Sequence, residues 1–319
     1  MRASLVRGVT AVVTVLAFTL ALVVQPAEGD PPPGRLVPKR GIYFGGYFRP
    51  AEWTQEGQIA TFTEIEADLG HPIPIVNVFY AWEKAPNPWR EQWLIDRGTV
   101  PMISWDGTYT SRILNGSEDA YILRMADHVR SLEKPIFLRF FWEMDGNKKA
   151  AVVESPEKFI AAWRYVHDRF QALGATNAVW IWAPNDYAFD IGTANQYYPG
   201  DEYVDWVGAD GYNWGALGHG YTWRTFERIF SNFYAQWAGR KPLMVAETGV
   251  IEEGGDKPQW IIDLRTTLRF TYPEIKAVVY FNSVDGEYNW RVQSTEASYR
   301  AFEWIGRRRY FIPDNPYTS

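Results

Sequence analysis

The sequence of 319 residues contains no cysteine, so no disulfide holds the fold and no thiol serves as nucleophile or metal ligand. Histidine is scarce as well. His71, His128, His167 and His219 are the four present, and none falls in a His-Glu-x-x-His spacing, so a zinc site is not expected. A Gly-x-Ser-x-Gly elbow and a phosphate-binding loop are also missing, which sets aside serine-hydrolase and nucleotide chemistry. Charge of one sign does not dominate: 32 basic and 38 acidic residues leave a net charge of −6, interspersed along the chain. That balance argues against a nucleic-acid or anionic-membrane partner.

No apolar run reaches the roughly 20 residues of a membrane span. The longest, Val9 to Val24, has 16 residues; Arg2 and Arg7 precede it, and the small residues of Ala27-Glu28-Gly29 follow. This is the pattern of a secretory signal peptide over residues 1–29, which predicts a secreted chain beginning near Asp30 with no membrane association after cleavage. The net charge then becomes −7, because two arginines and one glutamate leave with the leader. Residues 30–40, with "PPPGRLVPKR", read as a proline-rich linker with little to bury.

What the chain has in excess is aromatic surface: 16 Trp, 19 Tyr and 18 Phe make up 17% of it. Flat rings suit the apolar C–H faces of sugars, and the indole N–H still finds a polar partner.

From Gly41 onward, short apolar runs alternate with longer amphipathic segments. The strands predicted are Ile42 to Gly45, Ile75 to Tyr80, Val100 to Trp105, Ile136 to Phe141, Val179 to Trp182, Trp206 to Ala209, Leu243 to Ala246 and Ala277 to Phe281. Helical spacing covers Ile59 to Leu69, Trp89 to Arg97, Ala120 to Leu132, Pro156 to Leu173, Thr222 to Trp237, Gln259 to Phe270 and Glu296 to Ile305. Ser155-Pro156 supplies a cap and a first-turn proline for one of them. The connection after the fifth strand is long and reads as irregular. Solid apolar strands separated by helices predict parallel pairing buried on both faces. "YFGGYF" after the first strand lacks a dinucleotide fingerprint, so a single (β/α)8 TIM barrel over residues 41–319 fits better than an open sheet.

In such a barrel the chemistry sits at the carboxyl ends of the strands. Polar residues closing the apolar runs are therefore the candidates: Trp105-Asp106, Trp142-Glu143, Trp182 to Asn185, Asp210 to Asn213 with Tyr212, Glu247-Thr248 and Asn282. Two carboxyl groups across a barrel mouth, about 5 to 5.5 Å apart, are what retaining glycoside hydrolysis needs. One must stay ionised as nucleophile; the other must hold a proton near neutrality. Glu143, behind Phe140, Phe141 and Trp142, reads as the acid and Glu247 as the nucleophile. Arg139 lies four residues before Glu143 in the same strand and shares its inward parity, so a buried arginine–glutamate pair is the competing reading. Trp182, Trp290 and Trp105 are candidates to line a sugar cleft or to pack under loops. Tyr280 or Phe281 would form its floor, while Asn185 and Asp210 would meet sugar hydroxyls or stabilise turns. A barrel that binds sugar without cutting it is the rival function, and it needs one of the two glutamates missing or misplaced.

These residues resemble a family. "LRFFWEMDGN" resembles the strand-four motif of glycoside hydrolase family 26, in which Arg, two residues and His lead into Glu-Met-Asn-Gly. "PLMVAETG" resembles its strand-seven nucleophile motif, and "YYPGDEYVDWVGADGYN" the segment through strand six. The resemblance implies Glu143 as acid/base, Glu247 as nucleophile and Tyr212 as a donor to Glu247, with no metal or cofactor in catalysis. It also implies a β-linked polysaccharide or oligosaccharide substrate, β-mannan first, with β-glucan or β-xylan behind it; a microbial exopolysaccharide is a further candidate, and the chain is expected to act as a monomer. Trp142 stands where the family has His, and Asp145 where it has Asn. Contacts made by that histidine cannot be reproduced by an indole, which has a single donor.

Overall fold

The computed structural model describes residues 35–217, 220 and 222–318; the expected signal peptide lies outside them. Eight parallel strands, β1 Tyr43–Phe48, β2 Ile75–Tyr80, β3 Val100–Trp105, β4 Ile136–Phe140, β5 Ala178–Trp182, β6 Trp206–Asn213, β7 Leu243–Val250 and β8 Ile275–Asn282, pair in sequence order. β1 returns to β8, closing the barrel. Around it run α1 Gln55–Leu69, α2 Arg90–Asp96, α3 Thr110–Leu114, α4 Asp119–Ser131, α5 Ala150–Val153, α6 Pro156–Ala172, α7 Asp186–Asp190, α8 Phe226–Trp237, α9 Lys257–Thr266 and α10 Glu296–Gly306. The helix starts are chemically marked. Thr54, Ser155, Thr225, Asp256 and Thr295 each cap a helix through a side-chain oxygen, satisfying an amide that the first turn leaves unpaired.

Strand alternation separates two cores. Tyr43, Ile75, Met102, Phe137, Ile181, Trp206, Met244 and Val279 fill the barrel interior, whereas the intervening residues pack outward under the helices. Above the interior apolar layers, at the carboxyl end, the inward positions turn polar: Asn77, Ser104, Arg139, Asp210 and Glu247 are all buried.

Several expectations change. β6 and β7 run four residues further than predicted, because both continue past a register shift at Ala209/Asp210. The α9 segment does not continue as an α-helix to Phe270; it ends at Thr266 and widens into a π turn over Thr267–Thr271. The proline-rich segment is not a free linker where it is described. Leu36 is buried against the lower barrel core, and the Arg35 carbonyl accepts the Trp206 indole N–H at 2.8 Å, because the barrel floor is apolar and needs covering. The long connection after β5 also carries α7 and two short 3-10 turns, Ala194–Tyr197 and Asp201–Tyr203.

Candidate active site

Arg139 organises the upper barrel. Inward on β4 and fully buried, it donates through Nε to Ser104 Oγ at 2.8 Å, through Nη1 to both oxygens of Asp210 at 2.8 and 2.7 Å, and through Nη2 to Glu247 Oε2 at 2.7 Å. Ser104 passes the contact on, donating to Asn77 Oδ1 at 2.6 Å. A buried guanidinium needs such partners, since a charge without them would be expelled or neutralised.

Glu247 faces inward because of a bulge. Met244 and Ala246 already point into the barrel, so strict alternation would turn Glu247 outward. Ala209 pairs with Val245 and Asp210 with Glu247: one extra residue on β7 reverses the parity. The other Glu247 oxygen, Oε1, accepts from the Tyr212 hydroxyl. Burial and the Glu247 charge push the Tyr212 phenol well above its ordinary range, so it stays protonated and donates.

Glu143 reaches the same centre by another route. β4 stops at Phe140, and Phe141 and Glu143 adopt positive φ of 48° and 52°, unusual for non-glycine residues. The parity shared with Arg139 therefore does not carry through. Phe141 turns outward against Phe159, and the Glu143 amide donates to Ala183 O at 2.9 Å, tying this turn to the end of β5. Burial, then the nearby Glu247 charge, pushes the Glu143 carboxyl up to about 7 against the pull of Arg139 and Lys149. Phe140 and Phe141 do not flank the carboxyl as the sequence implied, because both pack under the helices.

The two-glutamate arrangement and the arginine–glutamate pair, posed as competitors by the sequence, coexist. Trp142 is partly exposed, with the Lys149 ammonium 3.7 Å from its ring centroid, Arg139 at 5.3 Å and the Phe79 ring at 5.3 Å. Lys149 is anchored by Asp106 at 2.7 Å. Asp145 accepts from the Asn185 amide and side chain at 3.0 and 3.2 Å, which holds Asn185 beside the Glu143 turn.

Five proposed sugar contacts do not face the cleft. Trp105 is wholly buried, stacked on Trp82 at 4.3 Å under the helices. Trp182 is equally buried, against Phe189, Tyr198 and Trp237. Both end their strands on the outward parity, so neither ring faces the mouth. Tyr280 also points outward, toward Phe302 and the Val250 backbone; its neighbour Phe281 takes the inward position. Asp210 is sealed beneath Arg139 and gives a sugar no open oxygen. Trp290, 1% exposed, backs Tyr212 at 4.7 Å and Trp214 at 4.9 Å, supporting the site from behind.

The rim is instead lined by Tyr47, Phe79, Trp142, Phe281 and Tyr212. Tyr47 stacks with Phe281 at 5.3 Å and meets Phe79 edge-on at 5.0 Å. Tyr47, Phe79, Ser104, Asn77 and Lys149 escaped the sequence reading. For the first four the available signal was inward alternation along β1 to β3; for Lys149 there was none, because its loop has no period. Among the described residues no cluster of His, Asp and Glu has metal-binding geometry.

The profile of glycosyl hydrolase family 26 matches residues 74–261. The chain belongs to this family. Within family 26, it is similar to Endoglucanase H of Acetivibrio thermocellus, with 34% identity over 268 residues, or 79% of this chain and 29% of that protein. It also resembles a β-1,3-xylanase of a Vibrio species, with 28% identity over 145 residues, covering 43% of this chain and 28% of the relative. The chain thus spans less than a third of the length of these curated relatives. Among solved structures, a β-mannanase of Bacteroides ovatus superimposes with a TM-score of 0.65 at 16% identity, covering 88% of this chain and 94% of that one. A ruminal endo-β-1,4-mannanase gives 0.64 at 18% identity, covering 89% and 67%. These likenesses establish the shared barrel.

Proposed function

We propose that this family 26 chain hydrolyses a β-linked polysaccharide internally and with retention of anomeric configuration. The observation that carries the reading is the unequal pair: Glu247, with both oxygens accepting from Arg139 and Tyr212, beside Glu143, whose proton is held to about pH 7. Glu143 donates that proton to the glycosidic oxygen as Glu247 attacks the anomeric carbon, so the leaving sugar departs neutral and a glycosyl ester forms on Glu247. Glu143, now ionised, takes a proton from water, the water oxygen attacks the same carbon, and Glu247 is released. The rim aromatics supply the stacking surface for the sugar ring.

β-Glucan stands ahead of β-mannan as substrate in this reading, with β-xylan next. The 34% identity to Endoglucanase H supports that order, whereas the mannanases share 16–18%. Action as a monomer is part of the reading. Export is part of the reading, supported by Arg2, Arg7 and the apolar run to Val24. The deciding experiment incubates wild type and Glu247→Ala with defined β-glucans, mannans and xylans, following products and anomeric configuration by NMR. Wild type should release the β-anomer first, and Glu247→Ala should be inactive yet still bind. Wild-type turnover by Glu247→Ala would sink the assignment.

A further inference from the structure

The barrel wall parts between β1 and β2. β1 follows β8 over six paired residues and β2 follows β3 over six, but β1 and β2 pair only at Gly45–Ile75 and Gly46–Val76. Above that point the strands separate, and a small recess of about 40 Å³ opens between them. Tyr47 and Phe79, the same rings that border Trp142 and Phe281 in the active-site rim, form its inner edge, and Trp53, 60% exposed, stands at its lip. Asn77, Gln58 and Arg90 also line it.

Two of these carry donors with no protein partner among the described residues: Asn77 Nδ2 and Arg90 Nη2. Both side chains are more than nine-tenths buried. Their remaining atoms are used. Asn77 Oδ1 accepts from Ser104, while Arg90 donates through Nε to Glu91 at 3.1 Å and through Nη1 to Gln58 Oε1 at 3.1 Å. Unmade buried hydrogen bonds are costly, so spare donors at a lined opening mark a place where acceptor oxygens arrive. Glu91, ion-paired to Arg90 and within 3.3 Å of His128, offsets the cationic charge, which favours a neutral acceptor over a carboxylate. The aromatic walls favour a small apolar body attached to that oxygen.

Resting on the glycanase reading above, we propose that this recess receives the exocyclic hydroxymethyl group of a hexopyranose unit next to the cleavage point, with Asn77 and Arg90 donating to its oxygen. The enzyme is therefore selective for hexose chains. A pentose chain such as xylan lacks that group and leaves both donors unpaired, and a site built to hydrogen-bond a hydroxyl rejects an analogue without it.

The test compares kcat/KM of wild type on a β-linked hexose oligosaccharide, its 6-deoxy analogue and the xylose-configured equivalent of the same linkage. Loss of about tenfold to a hundredfold on both analogues is expected from one or two hydrogen bonds. In Arg90→Lys and Trp53→Ala the hexose rate should fall toward the analogue rates, narrowing the difference. Equal rates on parent and 6-deoxy substrates in wild type would overturn the proposal, and this comparison needs no variant to fold. Calorimetric binding of the same oligosaccharides to Glu143→Gln reads the recess independently of turnover. An absence of any hydrolysis thus counts against the glycanase reading alone, while tighter binding of the parent sugar still supports the recess and equal binding refutes it.

Discussion

Glu143 holds its proton at a thermodynamic cost. Its carboxyl rises from 4.5 to about 7 in the folded chain, so the native state binds a proton more tightly than the unfolded one. The stability this brings is complete below pH 4.5 and is lost as pH climbs through 7, by about 3 kcal/mol at one pKa unit per 1.36 kcal/mol. Glu143→Gln cannot titrate, so its stability relative to wild type should improve steadily between pH 4.5 and 8 in urea denaturation, while hydrolysis fails. Wild-type activity should decline above pH 7 as the general acid ionises. Tyr212→Phe tests the other carboxylate. It removes the donor to Glu247 Oε1 but leaves the ring on Trp290 and Trp214, so kcat should drop about tenfold to a hundredfold with little change in melting temperature.

At the scale of the element, the site depends on two departures from regular geometry: the β7 bulge that turns Glu247 inward and the positive-φ turn that follows β4. Arg139 joins the two sides. Arg139→Ala would leave Asp210 and Glu247 buried without their cation, and a loss of about 3–5 kcal/mol in denaturant unfolding is expected, beyond any loss of activity. β1 imposes a separate constraint. A Cβ on Gly45 would lie 1.8 Å from Ile75 O, and one on Gly46 2.3 Å from Tyr280 O, so no side chain fits where β1 meets its neighbours. Gly45→Ala should cost at least about 1–3 kcal/mol of stability, as overpacking does, seen as a lower urea midpoint.

The described residues form a barrel with an aromatic mouth and an apolar floor that the segments around Leu36 and Tyr317 cover. Leu36 enters the lower core from one end of the described chain, and the Tyr317 hydroxyl donates to Pro135 O at 3.0 Å from the other. A chain begun at Lys39 should melt several degrees below one begun at Arg35: burying a leucine is worth about 1.5–3 kcal/mol, and the Trp206 indole N–H also loses its acceptor. Calorimetry on the two forms of the chain reads this directly. Because there is no cysteine, adding reductant should leave both transitions where they are.

The sequence alone determined the architecture, because solid apolar runs separated by amphipathic ones admit few solutions besides a closed parallel barrel. It also singled out Glu143 and Glu247, since a charged group ending a buried apolar run has few places to go but the rim, whereas the part given to Tyr212 came from the family resemblance. Which face each aromatic presents was not legible. Trp105, Trp182 and Tyr280 share strand ends with rim residues and differ only by one step of alternation, so register decides whether they meet sugar or helix. Tertiary structure alone turned Glu247 inward past Ala246, set Lys149 over Trp142 and parted β1 from β2. Those outcomes depend on bulges, loop closure and pairing between distant segments, where the local pattern carries no period to read.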